Sequence, residues 1–242
     1  MPILVISDIH ANLTALETIL HDAGEYESAW CLGDLVGYGP DPNECIQVVQ
    51  NLPGLICIIG NHDSAALDRI DIMTFNPEAR AALEWTKKTL NENSIAFLNE
   101  LPEIVETDYV TLAHGSPRQP VWEYLMDVST ATANFNHFST PFCFVGHTHL
   151  PVIFQLKSDD PYSTLTIPEP NQEVTLHSRM IVNPGSVGQP RDNDPRASYA
   201  LYNPDENLWD YRRVDYDIAS VQARMGKAGL PSRHIIRLEN GW

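Results

Sequence analysis

Pro2-Ile3-Leu4-Val5-Ile6-Ser7-Asp8-Ile9-His10-Ala11-Asn12-Leu13 opens the chain, and it reads as a buried strand running straight into a helix. The apolar run Pro2–Ser7 has strand length. Asn12 is a good N-cap for a helix whose Leu13, Leu16, Ile19 and Leu20 recur at helical spacing. The pattern then repeats. Ala29–Leu32 makes a second short strand before Gly33, and Asp41-Pro42 sets a capping carboxylate and an N1 proline ahead of a helix carrying Cys45, Ile46, Val48 and Val49. Leu55–Ile59 is a third strand, apolar enough to be buried on both faces. A βαβαβ run of this kind predicts parallel strands with right-handed crossovers.

Beyond it the period changes. Asn76-Pro77 repeats the cap-plus-proline start for a helix holding Ala81, Leu83, Trp85 and Leu90, and Ser94–Leu101 adds another. Short runs follow at Val110–Ala113, Phe142–Val145, Val152–Leu156, Ser163–Ile167, Met180–Val182, Tyr199–Tyr202 and Leu208–Val214. They predict a second sheet with antiparallel hairpins. Ser129–Phe138 and Ile218–Ala228 read as helices, and the Pro-, Asp- and Ser-rich segment Ser158–Glu173 as an exposed hairpin or loop. The predicted fold class is α/β, a two-sheet sandwich flanked by helices, in one domain over residues 1–242. Residues 216–242 form a helix and tail of no assigned role.

Composition narrows the function. Of 242 residues, 43% are apolar, enough for a sizeable core. Cys31, Cys45, Cys57 and Cys143 are widely spaced among apolar neighbours and read as reduced core thiols. The start of the chain carries neither a basic region nor a long apolar stretch, and no window approaches a bilayer span, so the expected location is the cytoplasm. Net charge is −17, with 32 acidic residues against 15 Lys plus Arg. Such a surface repels long nucleic acid and anionic membranes, whose binding depends on basic residues meeting phosphates. A small phosphorylated substrate remains compatible if bound metals supply local positive charge.

Where apolar runs end, polar motifs stand in order: Asp8-Ile-His10, Gly33-Asp34, Gly60-Asn61-His62-Asp63, His114-Gly115 and Gly146-His147-Thr148-His149. Together they gather three carboxylates, one amide and five histidines. Oxygen and imidazole ligands without thiolates suit manganese, iron or zinc. So many candidate ligands exceed the needs of one tetrahedral ion but suit a pair sharing a bridging carboxylate, and a metal pair is a reaction centre for phosphate esters. Any one motif alone is as well explained by a cap, a turn or a satisfied histidine. Their joint occurrence at successive strand ends, where open α/β sheets bind ligands, is what carries the metal reading.

The ordered set resembles the calcineurin-like metallophosphoesterase superfamily, with every motif position present from Pro2 to about Gly188. The wider wording, Leu32-Gly33-Asp34-Leu35-Val36-Gly37-Tyr38-Gly39-Pro40 and Asn183-Pro184-Gly185-Ser186-Val187-Gly188, resembles the small prokaryotic phosphodiesterase branch, which is similar to diadenosine-tetraphosphate hydrolases and bacterial protein phosphatases. The resemblance implies that Asp8, His10 and His149 hold one divalent ion, that Asn61, His114 and His147 hold the other, and that Asp34 bridges them. It implies that a metal-bridging hydroxide attacks phosphorus, with His62 as general acid and Asp63 fixing its tautomer. Manganese or iron is the expected metal, with zinc compatible. The expected substrate is a small nucleotide-type phosphodiester or phosphoanhydride such as a dinucleoside polyphosphate. Phosphoprotein or cyclic-nucleotide hydrolysis is the near alternative, and a non-catalytic protein-binding scaffold the remote one.

Substrate contacts are read from position alone. Arg118, in His-Gly-Ser-Pro-Arg, is a candidate phosphate clamp, as is Arg191 after the Gly185–Gly188 turn. Tyr38, Trp122 and Tyr124 lie on loops adjoining the motifs and are candidates for stacking on a nucleobase. His21, His137, His177 and His234 lie outside every motif and are expected to play no catalytic part. An oligomer is compatible with the strand-rich C-terminal sequence, which could offer an edge for self-pairing.

Overall fold

The opening repeat folds as its period requires. In the computed structural model, which describes residues 1–242, strand β1 (Ile3–Ile6) leads into helix α1 (Leu13–Ala23), β2 (Ser28–Cys31), α2 (Pro42–Val49) and β3 (Ile56–Cys57). β1 pairs in parallel with β2, and β2 with β3. Asn12 caps α1 through Oδ1, which accepts the Ala15 amide. Leu4 and Ile6 point to the helix side of the sheet and Val5 to the other, as the strand period of two demands.

Next come α3 (Asn61–Ala66), α4 (Pro77–Thr89), α5 (Glu92–Glu100), β4 (Ile104–Glu106), β5 (Val110–Ala113), α6 (Val128–Asn134), β6 (Phe142–Phe144) and β7 (Pro151–Gln155). The chain ends with β8 (Thr164–Thr166), β9 (Gln172–Thr175), β10 (Met180–Pro184), β11 (Ala197–Asn203), β12 (Leu208–Val214), α7 (Ile218–Ala228) and α8 (Ser232–Asn240). Two mixed six-stranded sheets result, ordered β3-β2-β1-β11-β12-β9 and β4-β5-β6-β10-β7-β8. Val5, Trp30, Leu32, Leu112, Phe142, Phe144, Val182, Tyr202 and Trp209 fill the space between them. Helices α1, α2 and α5 cover the outer face of the first sheet, and α6 that of the second. The fold is therefore the predicted α/β sandwich.

Several details differ from expectation. The late strands do not all build the second sheet: β11 and β12 return to extend the first, β11 antiparallel to β1 and β12 antiparallel to β11. Within the second sheet, β5, β6 and β10 are parallel, because β6 lies between the other two. The segment expected as a hairpin is split, β8 pairing with β7 in one sheet and β9 with β12 in the other. Asp41 does not cap α2 with its side chain; it pairs instead with Arg224 at 2.9 Å, a charge-assisted contact that outcompetes a single amide. The end of the chain is not a tail but α8, which packs with α7 and α4 around Phe75, Leu83, Val221, Met225 and Leu238. No helix is long and apolar enough to cross a membrane.

Candidate metal centre

The parallel strands of both sheets send their carboxyl ends to one place. From the first sheet, Asp8 and His10 follow β1, Asp34 follows β2, and Asn61 and His62 open α3 just after β3. From the second, His114 follows β5, and His147 and His149 follow β6. All are buried, at 3% exposure or less. Three groups emerge whose ligand atoms lie within 4.8 Å of one another: Asp8, His10 and His149; His10, Asp34 and His62; and Asp34, His114 and His147. Asn61 joins the third, its Oδ1 lying 3.1 Å from His114 Nε2. Asp34 is common to two groups, with Oδ2 at 3.6 Å from His10 Nε2 and 3.4 Å from His114 Nε2.

The imidazoles are oriented from behind. His10 Nδ1 faces the Val36 carbonyl at 3.0 Å, His114 Nδ1 that of Leu32 at 2.7 Å, His149 Nδ1 that of Gln189 at 2.5 Å, and His147 Nε2 that of Trp122 at 3.1 Å. A carbonyl oxygen only accepts, so each of these nitrogens carries the proton and leaves the other with a lone pair. The lone pairs face inward: His10 Nε2 and His149 Nε2 are 3.1 Å apart. Asp8 Oδ2 accepts from Ser7 Oγ and the His147 amide, but Oδ1 is buried without any hydrogen-bond partner, 3.3 Å from His149 Nε2. Facing lone pairs and an orphaned carboxylate oxygen are unfavourable alone and favourable around a cation, so these residues fit divalent ions. Burial pushes the Asp8 pKa up to about 7. His114 is the exception among these rings while no cation is bound: burial opposes its charge, but Asp34 outweighs it and lifts that pKa to about 10, so Nε2 holds a proton towards Asp34 that a divalent ion would have to displace.

The other expected site residues are less uniform. His62 is wedged among His10, Tyr38 and Phe75, with ring centroids 4.9, 4.4 and 5.0 Å away, and its Nδ1 has no partner. Asp63 does not touch that ring. Its carboxylate accepts the amides of Val36 and Gly60 at 3.0 Å each, so it braces the two loops that carry Asp34 and Asn61 rather than fixing the His62 tautomer. Tyr38 is 6% exposed and packed among His10, His62 and His234, leaving it unsuited to stacking on a base. Tyr124, at 46% exposure, lies over His147 with centroids 3.9 Å apart. Trp122 packs on Phe75 and supplies its carbonyl to His147. Arg118 is engaged by Glu123, which also holds Ser116 and Asn134. Arg191 has no carboxylate partner and donates to Gln189 and Tyr38.

Sequence reasoning missed Ser7, Gln189 and the carbonyls of Leu32, Val36 and Trp122. Ser7 stood inside a quoted motif; the carbonyls have no side-chain signature.

A model of the calcineurin-like phosphoesterase superfamily domain matches residues 1–207. The chain belongs to that superfamily. Phosphoester hydrolysis is the activity of this metal-dependent family, and the chain is a hydrolase of that class. An uncharacterized protein of Methanocaldococcus jannaschii is 35% identical over 95% of this chain and 93% of its own length. The crystal structure of a metallophosphoesterase from Sphaerobacter thermophilus superposes with a TM-score of 0.91 at 46% identity, covering 100% of this chain and 99% of that one. A symmetrical bis(5'-nucleosyl)-tetraphosphatase of Pectobacterium carotovorum is 27% identical over 104 residues, which is 36% of this chain and 37% of that protein.

Proposed function

We propose that this superfamily member is a dinuclear-metal hydrolase of a small nucleotide-type phosphodiester or phosphoanhydride, with dinucleoside polyphosphates the leading substrates. The reading rests on one observation: imidazoles whose outer nitrogens donate to backbone carbonyls and whose inner lone pairs surround Asp8 and Asp34. Asp8, His10 and His149 would hold one ion, Asn61, His114 and His147 the other, and Asp34 would serve both. A pair of divalent ions supplies charge to bind phosphate oxygens and acidity to activate water. Manganese or iron suits the nitrogen and oxygen donors, and zinc is compatible with them.

The chain's own groups do the remainder. The strand-end loops set the ligands before substrate arrives, so little reorganisation accompanies reaction. His62, packed against the ligand His10, would hand a proton to the departing oxygen. Burial lowers its pKa well below the usual value, and a bound phosphate anion counters that by favouring the imidazolium. Tyr124, exposed beside His147, is the aromatic available to a nucleobase. The phosphoanhydride part of the preference draws support from the tetraphosphatase named above.

The test is turnover by metal-loaded protein of bis(4-nitrophenyl) phosphate, 4-nitrophenyl phosphate and a panel of mono- and dinucleoside polyphosphates, with and without chelator. Chelator-sensitive cleavage, with diester and dinucleoside polyphosphate preferred over monoester, is expected. Inertness across the panel under manganese, iron and zinc would remove the reading.

A further inference from the structure

On the Tyr38 side of the ligand cluster, two guanidinium groups lie together without a carboxylate. Arg191 Nη2 donates to Gln189 Oε1 at 3.0 Å and reaches Tyr38 Oη at 3.4 Å, and Arg237 Nη1 donates to the same Gln189 Oε1 at 3.4 Å. The Nε of each is buried with no hydrogen-bond partner. Beside them His234, 2% exposed, packs tilted against Tyr38 with centroids 4.4 Å apart, and neither of its ring nitrogens has a hydrogen-bond partner. Tyr38 in turn packs on His10 and His62, so this cluster is continuous with the metal centre.

Charge makes the grouping informative. The chain has 32 acidic residues against 15 Lys plus Arg. Elsewhere in the C-terminal third, Arg196, Arg212, Arg213 and Arg224 each pair with an aspartate, Arg233 faces Glu78, and Arg179 donates to the backbone carbonyls of Phe135, Phe138 and Thr140. Holding two like charges on one amide oxygen is unfavourable, and the acidic residue facing Arg237 and His234, Glu78, is paired with Arg233 at 3.8 Å and bridges to neither guanidinium of the pair. A guanidinium fork matches a phosphate group in two parallel hydrogen bonds. An anion arriving with the substrate satisfies both forks and the donor-capable His234.

We propose that Arg191, Arg237 and His234 form a subsite for a second, non-reacting phosphate group of the substrate, with α8 acting as a specificity element. The inference rests on the phosphoesterase reading and narrows it to substrates with phosphate groups in series. Arg191 lies within residues 1–207 that match the superfamily, whereas His234 and Arg237 on α8 lie beyond them.

The test uses metal-loaded protein freed of excess ion, and calorimetric titration with methylenediphosphonate and methylphosphonate, which carry two and one phosphonate groups and resist hydrolysis. Wild type should prefer the diphosphonate, and Arg237→Gln should reduce that preference about tenfold or more, the size of one lost charge-assisted contact. Arg237→Lys, which keeps a charge but loses the fork, should show a smaller reduction and decides the matter should the glutamine variant not fold. An unchanged preference in a folded variant, or none in wild type, overturns the subsite. The two readings fail separately. A protein that cleaves phosphodiesters while Arg237→Gln keeps the preference loses only the subsite. One with an Arg237-dependent preference that cleaves no ester loses only the activity.

Discussion

Asp8, His10, Asp34, His147 and His149 all hold left-handed backbone, with φ between 48° and 65°. For residues with a Cβ this costs on the order of 1–3 kcal/mol each. Such strain gathered at one point is sustained because the loops are over-determined from behind, as by Asn183 Nδ2 on the Gly146 carbonyl at 2.8 Å. His62 is held differently, by packing. A Cβ at Gly37, where φ is +88°, would sit 2.4 Å from His62 Nδ1. Gly37→Ala is therefore expected to displace that ring and lower kcat while metal content, read by elemental analysis, stays at the wild-type level. His62→Ala should likewise keep its metals yet lose about 10²–10⁴-fold in kcat, the usual worth of a general acid. Full activity in His62→Ala would remove His62 from proton transfer, and full activity in Gly37→Ala would show that the ring accommodates the added Cβ. The motifs made these residues legible, but the side-chain directions were not. Asp63 and Asp41 were each read from a neighbour in sequence, whereas the partners that claim them, Val36 and Arg224, are remote.

At the scale of elements, the sequence showed best what depends on local period. β1, α1 and α7 were legible within a residue or two because their apolar spacing is regular. β8 and β9 were not assignable to separate sheets, since pairing is a long-range choice that strand sequence does not encode. α8 was missed because nine mostly polar residues bury only His234 and Leu238. One loop has its own electrostatic anchor. Glu123 gathers Ser116, Arg118 and Asn134 on the segment after β5, next to the Trp122 carbonyl that orients His147. Partial burial disfavours its charge, but the bonds from Arg118, Ser116 and Asn134 prevail and bring its pKa down to about 2. A carboxylate depressed in the folded state stabilises it above the ordinary value near 4.5, and that contribution fades as pH falls towards 2. Thermal melts of wild type and Glu123→Gln should thus differ at neutral pH and converge across that acidic window. A constant gap would show that the contacts, not the charge, hold the loop.

Over the whole molecule, an excess of negative charge surrounds a centre built to receive cations. Two buried carboxylates and several inward lone pairs destabilise the fold until positive charge enters, so metal and folding are coupled. Ion at about a hundredfold excess over its dissociation constant should add about 2.7 kcal/mol per independent site, which for a chain of this size raises Tm by about 5–10 °C. Asp34 faces both ligand groups, whereas Asp8 belongs to one. Manganese titrations followed by melting should therefore show a large rise for wild type, a smaller one for Asp8→Asn and the smallest for Asp34→Asn. Acid should diminish the rise in every case, because imidazoles that take up protons cannot ligate. Equal gains for the two variants would mean that Asp34 does not serve two ions, and a melting temperature indifferent to manganese, iron and zinc would mean that the convergence of strand ends evolved for something other than metal.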